Sequence, residues 1–383
     1  MPCLDEAETL ATCIGRARKL LQDNRIQGEI LISDNGSNDS SQAIAEKNGA
    51  RVVNCPLRGY GAALQFGIEQ ARGKFVLMGD SDDSYHFDEA FPMIEKLREG
   101  FDVCLGTRLK GKIVPGAMPF LNQNLGNPVL TLFGRVFFNV NSSDFYCGMR
   151  AFRRDLIPRL NLQTMGMEWA IDQMIKSKML GAKITEVPIT LYPDGRNRPP
   201  HLRPWRDGWR TLRFMLIHAP TWLFIFPGLA LLFAGMIFAG ILISGPVKIG
   251  AATLDIHTLL VMHALVVLGV QSLFTGLFVS LYGHLVGVLP INERYKKTVR
   301  FFSLEKLIVV AIVLGLSGIW LFGRSFWNWY ANGFPPLDAS VTMRQVIPAL
   351  TLITLSAQCM LNGFMLSTLF LATRKKSAAN TWD

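Results

Sequence analysis

The stretch K-F-V-L-M-G-D-S-D-D-S-Y, Lys74 to Tyr85, decides the reading of the fold. Four apolar residues in a row, Phe75 to Met78, predict a strand covered on both faces, and the run stops at Gly79. Three carboxylates follow at Asp80, Asp82 and Asp83. In an open α/β sheet, ligands bind beyond the carboxyl ends of the strands. Carboxylates gathered there are hard oxygen donors suited to Mg²⁺ or Mn²⁺. D-S-D-D alone is equally well an acidic surface turn; its neighbours argue for the site.

Upstream, Glu6–Leu21 predicts an amphipathic helix with Leu10, Ile14, Ala17 and Leu21 on one face, and no strand precedes it. Glu29–Ser33 predicts a strand ending at Asp34, whose carboxylate stands where it can accept hydrogen bonds from a nucleobase or ribose. Asp39 suits a helix N-cap. After a strand at Arg51–Asn54, Gly59 and Gly61 precede a helix to Ala71; such a turn either lets backbone approach a phosphate or is a plain loop. Downstream come a helix over Asp88–Arg98 and a strand over Asp102–Gly106 that closes in Thr107-Arg108. Arg108 at a strand end can hold a phosphate bidentately or form a surface ion pair. Residues Pro119–Asn139 predict an apolar helix at a membrane surface. Ser143–Arg154 combines Asp144 with three arginines, and a helix over Glu168–Leu180 leads to a strand over Lys183–Thr190. The alternation predicts an α/β, doubly wound, mostly parallel sheet in residues 1–195.

The other half of the 383 residues is different in kind. Residues 196–215 carry Arg196, Arg198, Arg203, Arg206, Arg210 and Arg213, with Trp205, Trp209 and Leu212 on another stripe, the pattern of a helix in a membrane interface. Residues 216–383 hold four uncharged apolar runs, at about 216–244, 257–289, 307–322 and 346–373. A span takes roughly 20 residues, so the third is short and needs Trp327 and Trp329 as anchors. The connection with Arg294, Lys296, Lys297, Arg300 and Lys306, and the tail with Arg374, Lys375 and Lys376, are cationic, whereas those with Lys248 and with Arg324 and Arg344 are poor in charge. The positive-inside rule then predicts a multi-pass protein of the plasma membrane, in a bacterium the inner one, with residues 1–215 and both ends cytoplasmic. The net charge of +10 belongs to this membrane side and is not read as nucleic-acid binding. Gln271, Gln358 and Asn362 are expected to hydrogen-bond between spans. Six cysteines without a C-x-x-C pair suggest neither disulfides nor zinc, and the first residues do not read as a signal peptide.

Taken together, P-C-L-D-E-A-E-T (Pro2–Thr9), D-N-G-S-N-D (Asp34–Asp39), G-Y-G-A-A (Gly59–Ala63), D-S-D-D (Asp80–Asp83), G-T-R (Gly106–Arg108), D-F-Y-C-G-M-R-A-F-R-R (Asp144–Arg154) and E-V-P-I (Glu186–Ile189) resemble family 2 glycosyltransferases of the GT-A fold, specifically polyprenyl-phosphate hexose transferases of the dolichyl-phosphate type. The resemblance covers about residues 1–215. It implies a nucleotide-sugar donor of the UDP-glucose or GDP-mannose type, Mg²⁺ or Mn²⁺, inversion at the anomeric carbon, and a polyprenyl-phosphate acceptor. By motif, Pro2, Asp5, Glu6, Asp34, Gly59, Gly61, Asp80 and Ser81 would bind the donor; Asp80 and Asp82 would hold the metal; Arg108, Arg196 and Arg198 would bind the acceptor phosphate. Two residues depart from the pattern: Asp5 stands where Asn is usual and Asn35 where a second Asp is common. The family's first strand normally precedes Pro2, so a gap in the sheet and a wrongly placed start are expected.

An ionised phosphate acceptor needs little help from a base, whereas a hydroxyl would need one. Asp144 and Glu168 are the candidates; Asp144 is preferred, with Arg108 as the other expected catalytic residue, and Asp144 is equally readable as a buried ion-pair partner of Arg150 or Arg153. A processive polysaccharide synthase would carry Q-x-x-R-W, which is absent. A third reading is a membrane-anchored nucleotide-sugar-binding protein that has lost catalysis. The sequence leaves self-association open.

Overall fold

The computed structural model describes residues 1–196, 204–286, 289 and 302–379. The chain divides into two units, Met1–Ile217 and His218–Asp383.

In the first unit, strands β1 (Pro2–Cys3), β2 (Leu31–Asp34) and β3 (Arg51–Asn54) form one parallel sheet in that order, linked by helices α1 (Leu10–Asp23) and α2 (Ser41–Lys47). Helix α3 (Tyr60–Gln70) leads to β4 (Phe75–Met78). That strand begins a second sheet of order β4-β6-β5-β7, with β5 at Val103–Ile113, β6 at Arg150–Arg153 and β7 at Ile184–Leu191. Helices α4 (Phe91–Arg98), α5 (Asn127–Phe138), α6 (Ile157–Leu160) and α7 (Trp169–Met179) fill the connections.

The expected α/β alternation is present, with three differences. A strand does precede α1, although it is two residues long. The sheet is split, so β4 lies at an edge and Phe75 to Leu77 are only half-buried; only Met78 is buried. And β6 runs antiparallel to both β4 and β5, while β5 and β7 are parallel. The motif R-A-F-R gave no strand signal because both its ends are arginines. Ala151 and Phe152 are fully buried, and so is the Arg150 side chain. Its guanidinium donates to the carbonyls of Phe145 (2.8 Å), Cys147 (2.9 Å) and Ala170 and to Gln173 Oε1 (2.9 Å). A buried cation is tolerable when most of its donors are accepted, here four of the five N–H groups. These bonds fasten the 145–149 turn to α7.

The core of this unit lies between α4 and the second sheet, where Met93, Cys104, Cys147, Ala151 and Ile189 meet. Full burial of such side chains is worth about 1.5–3 kcal/mol each for the larger ones. A smaller core of Cys3, Leu10, Ile14 and Ile32 holds α1 to the first sheet. Helix α5 buries Thr131, Gly134 and Phe138, while Leu132 and Val136, with Phe120 and Leu125 just before it, are exposed. Helix α8 (Pro204–His218) exposes Trp205 and Trp209.

Among the described residues, the second unit has four helices long and apolar enough to cross a membrane, Thr221–Ile243, Ile256–Leu285, Leu304–Ala331 and Ala339–Leu369. They correspond to α9 (Phe226–Ile243, preceded by a π-helical turn at Thr221–Ile225), α10 (Ile256–Leu285), α11 (Leu304–Ala331) and α12 (Ala339–Ala379). The third is 28 residues long, not short, because the helix continues past Arg324 through Trp327 and Trp329. Close helix approach depends on small residues: a Cβ on Gly269 of α10 would stand 2.6 Å from the Leu232 nitrogen of α9. A two-stranded hairpin, β8 (Val247–Ile249) and β9 (Ala252–Leu254), joins α9 to α10. At one end of the bundle Arg344 pairs with Asp255.

Candidate active site

The carboxyl end of β4 runs directly into Asp80. Its Oδ1 accepts a hydrogen bond from the Tyr60 hydroxyl at 2.8 Å. Gly148 makes room on the other side, since a Cβ there would lie 2.6 Å from Asp80 Oδ2. Burial, then the charge of Asp82, pushes the Asp80 carboxyl up to about 6. Burial, with Asp80 beside it, raises Tyr60 well above the usual phenol range.

Asp82 is 9% exposed; its Oδ1 accepts from the Ser84 amide (3.0 Å) and hydroxyl (2.6 Å). Its Oδ2 is met by Arg196 at 2.8 Å. The same guanidinium reaches Glu6 at 3.0 Å and Asp194 at 3.0 Å, and its side chain is 11% exposed. Burial disfavours this charge, yet Asp82 and Glu6 outweigh it and raise the Arg196 pKa. Backbone bonds from Tyr192 to the Ser84 carbonyl (3.0 Å) and from Gly195 to the Asp82 carbonyl (2.9 Å) fix the segment beside the acidic turn. Asp83, in contrast, has φ +61° and turns away to pair with Arg16 at 2.8 Å. The acidic turn thus contributes two carboxylates to the site.

Among the described residues, no three His, Cys, Asp or Glu side chains gather as a ready metal cage. Two neighbouring carboxylates, Asp80 with its ionisation opposed by burial and then by Asp82, and Asp82 already held by a guanidinium, nevertheless form a donor set that fits a hard divalent cation whose remaining ligands come from a substrate and water.

The other predicted site residues mostly hold the walls. Pro2 accepts from the Ser81 hydroxyl at 2.7 Å, and the Ser81 carbonyl accepts from Thr9 at 2.6 Å, so these residues stitch β1 to the acidic turn. Asp5 sits at φ +58°, where Asp and Asn are tolerated, and accepts from the Asn38 amide at 2.7 Å. Asp34 is 1% exposed, and its oxygens already accept from Gly36, Ser37 and Gln42. Its carboxylate maintains the 34–37 turn. Asn35 bridges the two loops, donating to the Leu57 carbonyl (2.7 Å) and accepting from the Gly59 amide (2.8 Å). The glycines admit protein, not open space: a Cβ on Gly59 would be 2.3 Å from the Met165 carbonyl oxygen, and one on Gly61 would be 2.7 Å from Trp169 Cβ. The Ala62 amide at the start of α3 is also taken by the Met165 carbonyl at 3.2 Å.

Arg108 and Asp144 find each other. Arg108 Nε and Nη2 donate to the two oxygens of Asp144 at 2.7 and 2.8 Å, and Asp144 is fully buried. Burial alone would raise the Asp144 carboxyl, but the bonds and charge of Arg108 hold it below the usual carboxylate range. In this structure the charge of each group is met by the other. The ion-pair partner is Arg108 and not Arg150 or Arg153; Arg153 pairs with Asp155 at 2.9 Å. The second base candidate, Glu168, pairs with Arg210 at 3.1 Å. Arg198 and Arg203, and the cations at Arg294, Lys296, Lys297 and Arg300, lie outside the described residues.

Three residues with supporting roles were not singled out from the sequence. Tyr60 and Gly148 fix Asp80, and the Tyr85 hydroxyl accepts from the Gly148 amide at 3.1 Å and stands 3.5 Å from Arg108 Nη1. Each lies within or beside a motif, but only the folded chain shows what it touches.

A sequence model described as glycosyl transferase family 2 matches residues 1–160, and one described as the glycosyltransferase family 2 C-terminal transmembrane region matches residues 279–370. The chain is 33% identical over 374 residues to the low-salt glycan biosynthesis hexosyltransferase Agl6 of Haloferax volcanii, covering 96% of this chain and 88% of that one. It is 32% identical over 165 residues to a dolichyl-phosphate hexose transferase of the same organism, 43% of this chain and 69% of that one. An undecaprenyl-phosphate mannosyltransferase of Micrococcus luteus is 27% identical over 207 residues, 50% of this chain and 81% of that one.

Proposed function

Because this chain belongs to glycosyltransferase family 2, we propose that it moves a hexose from a nucleotide sugar to a polyprenyl phosphate at the cytoplasmic membrane face, with inversion at the anomeric carbon. The observation that carries this reading is the pair Asp80 and Asp82 at the end of β4, Asp80 steadied by the Tyr60 hydroxyl at 2.8 Å and Asp82 already drawing the Arg196 guanidinium at 2.8 Å. A divalent cation, Mg²⁺ or Mn²⁺, held by these two side chains would neutralise charge on the departing nucleotide diphosphate. Tyr60 and Gly148 keep Asp80 in position, and Ser84 does the same for Asp82. Pro2, Asp5, Glu6, Asp34, Gly59, Gly61 and Ser81 shape the donor pocket from loops that they hold to one another. Arg196, with Arg198, is the cation able to exchange its carboxylates for phosphate oxygens. Arg108 and Asp144 act as a buried brace behind Asp80, through Tyr85 and Gly148.

The acceptor follows from two considerations. Related proteins are named for dolichyl-phosphate and undecaprenyl-phosphate. And both candidate bases are tied up in ion pairs, which suits an acceptor oxygen that is ionised without one.

The test is transfer by the purified full chain, reconstituted with polyprenyl phosphate and offered labelled UDP-glucose or GDP-mannose with Mn²⁺. Formation of a lipid-linked hexose with inverted anomeric configuration is expected, and Asp80→Ala with Asp82→Ala should lower the rate at least a hundredfold. Unchanged transfer by that variant, or no transfer to lipid from any common donor, would sink the reading.

A further inference from the structure

Gln271 is the one amide among the sequence-predicted trio of the membrane unit that reaches the surface of the helix bundle. It lies fifteen residues beyond Ile256 and fourteen before Leu285 in α10. At ~1.5 Å per residue, about 21 Å of helix separate it from either end. The hydrocarbon half-thickness is about 15 Å, so the side chain lies at the depth of the lipid tails. It is nevertheless exposed.

The amide is half-satisfied. Its Oε1 accepts from Asn362 Nδ2 of α12 at 3.4 Å, and Asn362 donates at 2.8 Å to the Gln358 carbonyl. Among the described residues, nothing accepts from Gln271 Nε2. Gln358 Oε1, on the same helix as Asn362, is buried without a hydrogen-bond partner. Lipid tails offer no acceptor, headgroups are a half-bilayer away, and polar groups left open in this medium are costly.

We propose that this face binds a second copy of the chain, each Gln271 donating Nε2 to the amide of the other. A carboxamide carries both donor and acceptor, so a two-fold contact satisfies both copies with one residue type. The surround is suited to helix contact in lipid: Leu268 (57% exposed) and Thr275 lie one turn either side on α10, and Leu361 (72%) and Met365 (46%) flank Asn362 on α12.

The experiment uses full-length chain labelled with donor or acceptor fluorophore in phosphatidylcholine–phosphatidylglycerol vesicles at a series of protein-to-lipid ratios. Energy transfer should rise with density for the wild type. Gln271→Leu should shift the midpoint three- to tenfold toward higher density, and Gln271→Asn should restore most of it. Independently, Gln271→Cys should form a disulfide between copies on mild oxidation, whereas Leu316→Cys, on the exposed side of α11 (63%), should not. Energy transfer that is absent at all densities, or identical in Gln271→Leu, overturns the proposal. So does equal crosslinking at both cysteines. Crosslinking of Gln271→Cys in cells but never in the purified vesicles would assign the face to a different membrane protein and overturn it too.

Discussion

At the scale of the residue, Asp80 carries a conflict between fold and chemistry. Its carboxyl is raised to about 6 by burial and by Asp82, against about 3.9 in an unfolded chain. A raised acid stabilises the fold fully only below the unfolded value, and that contribution is lost as pH rises through the folded one. Above pH 6 the ionised Asp80 therefore burdens the metal-free protein, by on the order of 1–3 kcal/mol. Asp80→Asn should melt a few degrees higher than wild type at pH 7.5 without metal, the advantage shrinking as pH falls through 6 toward 4, while transfer is lost. Tryptophan-fluorescence melts across pH would check it, and a lower or equal melting point at pH 7.5 would count against the assignment. The position of this residue was legible in the sequence because an apolar run ended abruptly in carboxylates. The fate of Asp144 was not. Arg108, Arg150 and Arg153 all stand near it in motif space, and only the antiparallel placement of β6 beside β5 decides which guanidinium reaches it.

At the scale of the element, the first turn of α3 is a structural joint. Gly61 lies against Trp169 and the Gly166 carbonyl oxygen, with 2.7 and 2.8 Å left for a Cβ. Gly61→Ala must push α3 away from the 165–169 segment, an overpacking that costs about 1–3 kcal/mol. Since Tyr60 on the same turn fixes Asp80, we expect both a lower melting temperature and weaker nucleotide-sugar binding by calorimetry. A loss of stability with unchanged binding would separate the joint from the site. Two glycines ahead of a helix look the same in sequence whether they admit phosphate or backbone, which is why this partner was invisible there. Strand β6 escaped for a related reason: its burial depends on a guanidinium accepted both by the nearby Phe145 and Cys147 carbonyls and by Ala170 and Gln173, about twenty residues on. The third membrane helix was shortened because Arg324 and the tryptophans interrupt hydropathy without interrupting the helix.

At the scale of the whole molecule, the two units differ in what holds them. The first is built on alternating strands and helices with polar walls; the second is held by small residues and sparse amides between long apolar helices. In the sequence the two differ in composition, the uncharged apolar runs beginning near residue 216. The proposed topology is checked with a thiol reagent that cannot cross membranes. In intact cells Lys248→Cys, in the β8–β9 hairpin, should label readily, whereas the native Cys55 should label only after the membrane is opened. The reverse pattern would invert the orientation.

Arg196, tethered beside Asp82 and Glu6, is a built-in competitor for the place it guards. Its local concentration there is fixed by the backbone and cannot be diluted. A bare ion from solution must displace a charge that never leaves the neighbourhood. On the proposed function, an arriving acceptor phosphate would bring the guanidinium new oxygens in trade for the old. Loading would then be an exchange of counter-ions in which free metal competes with a guanidinium already seated on the same carboxylates.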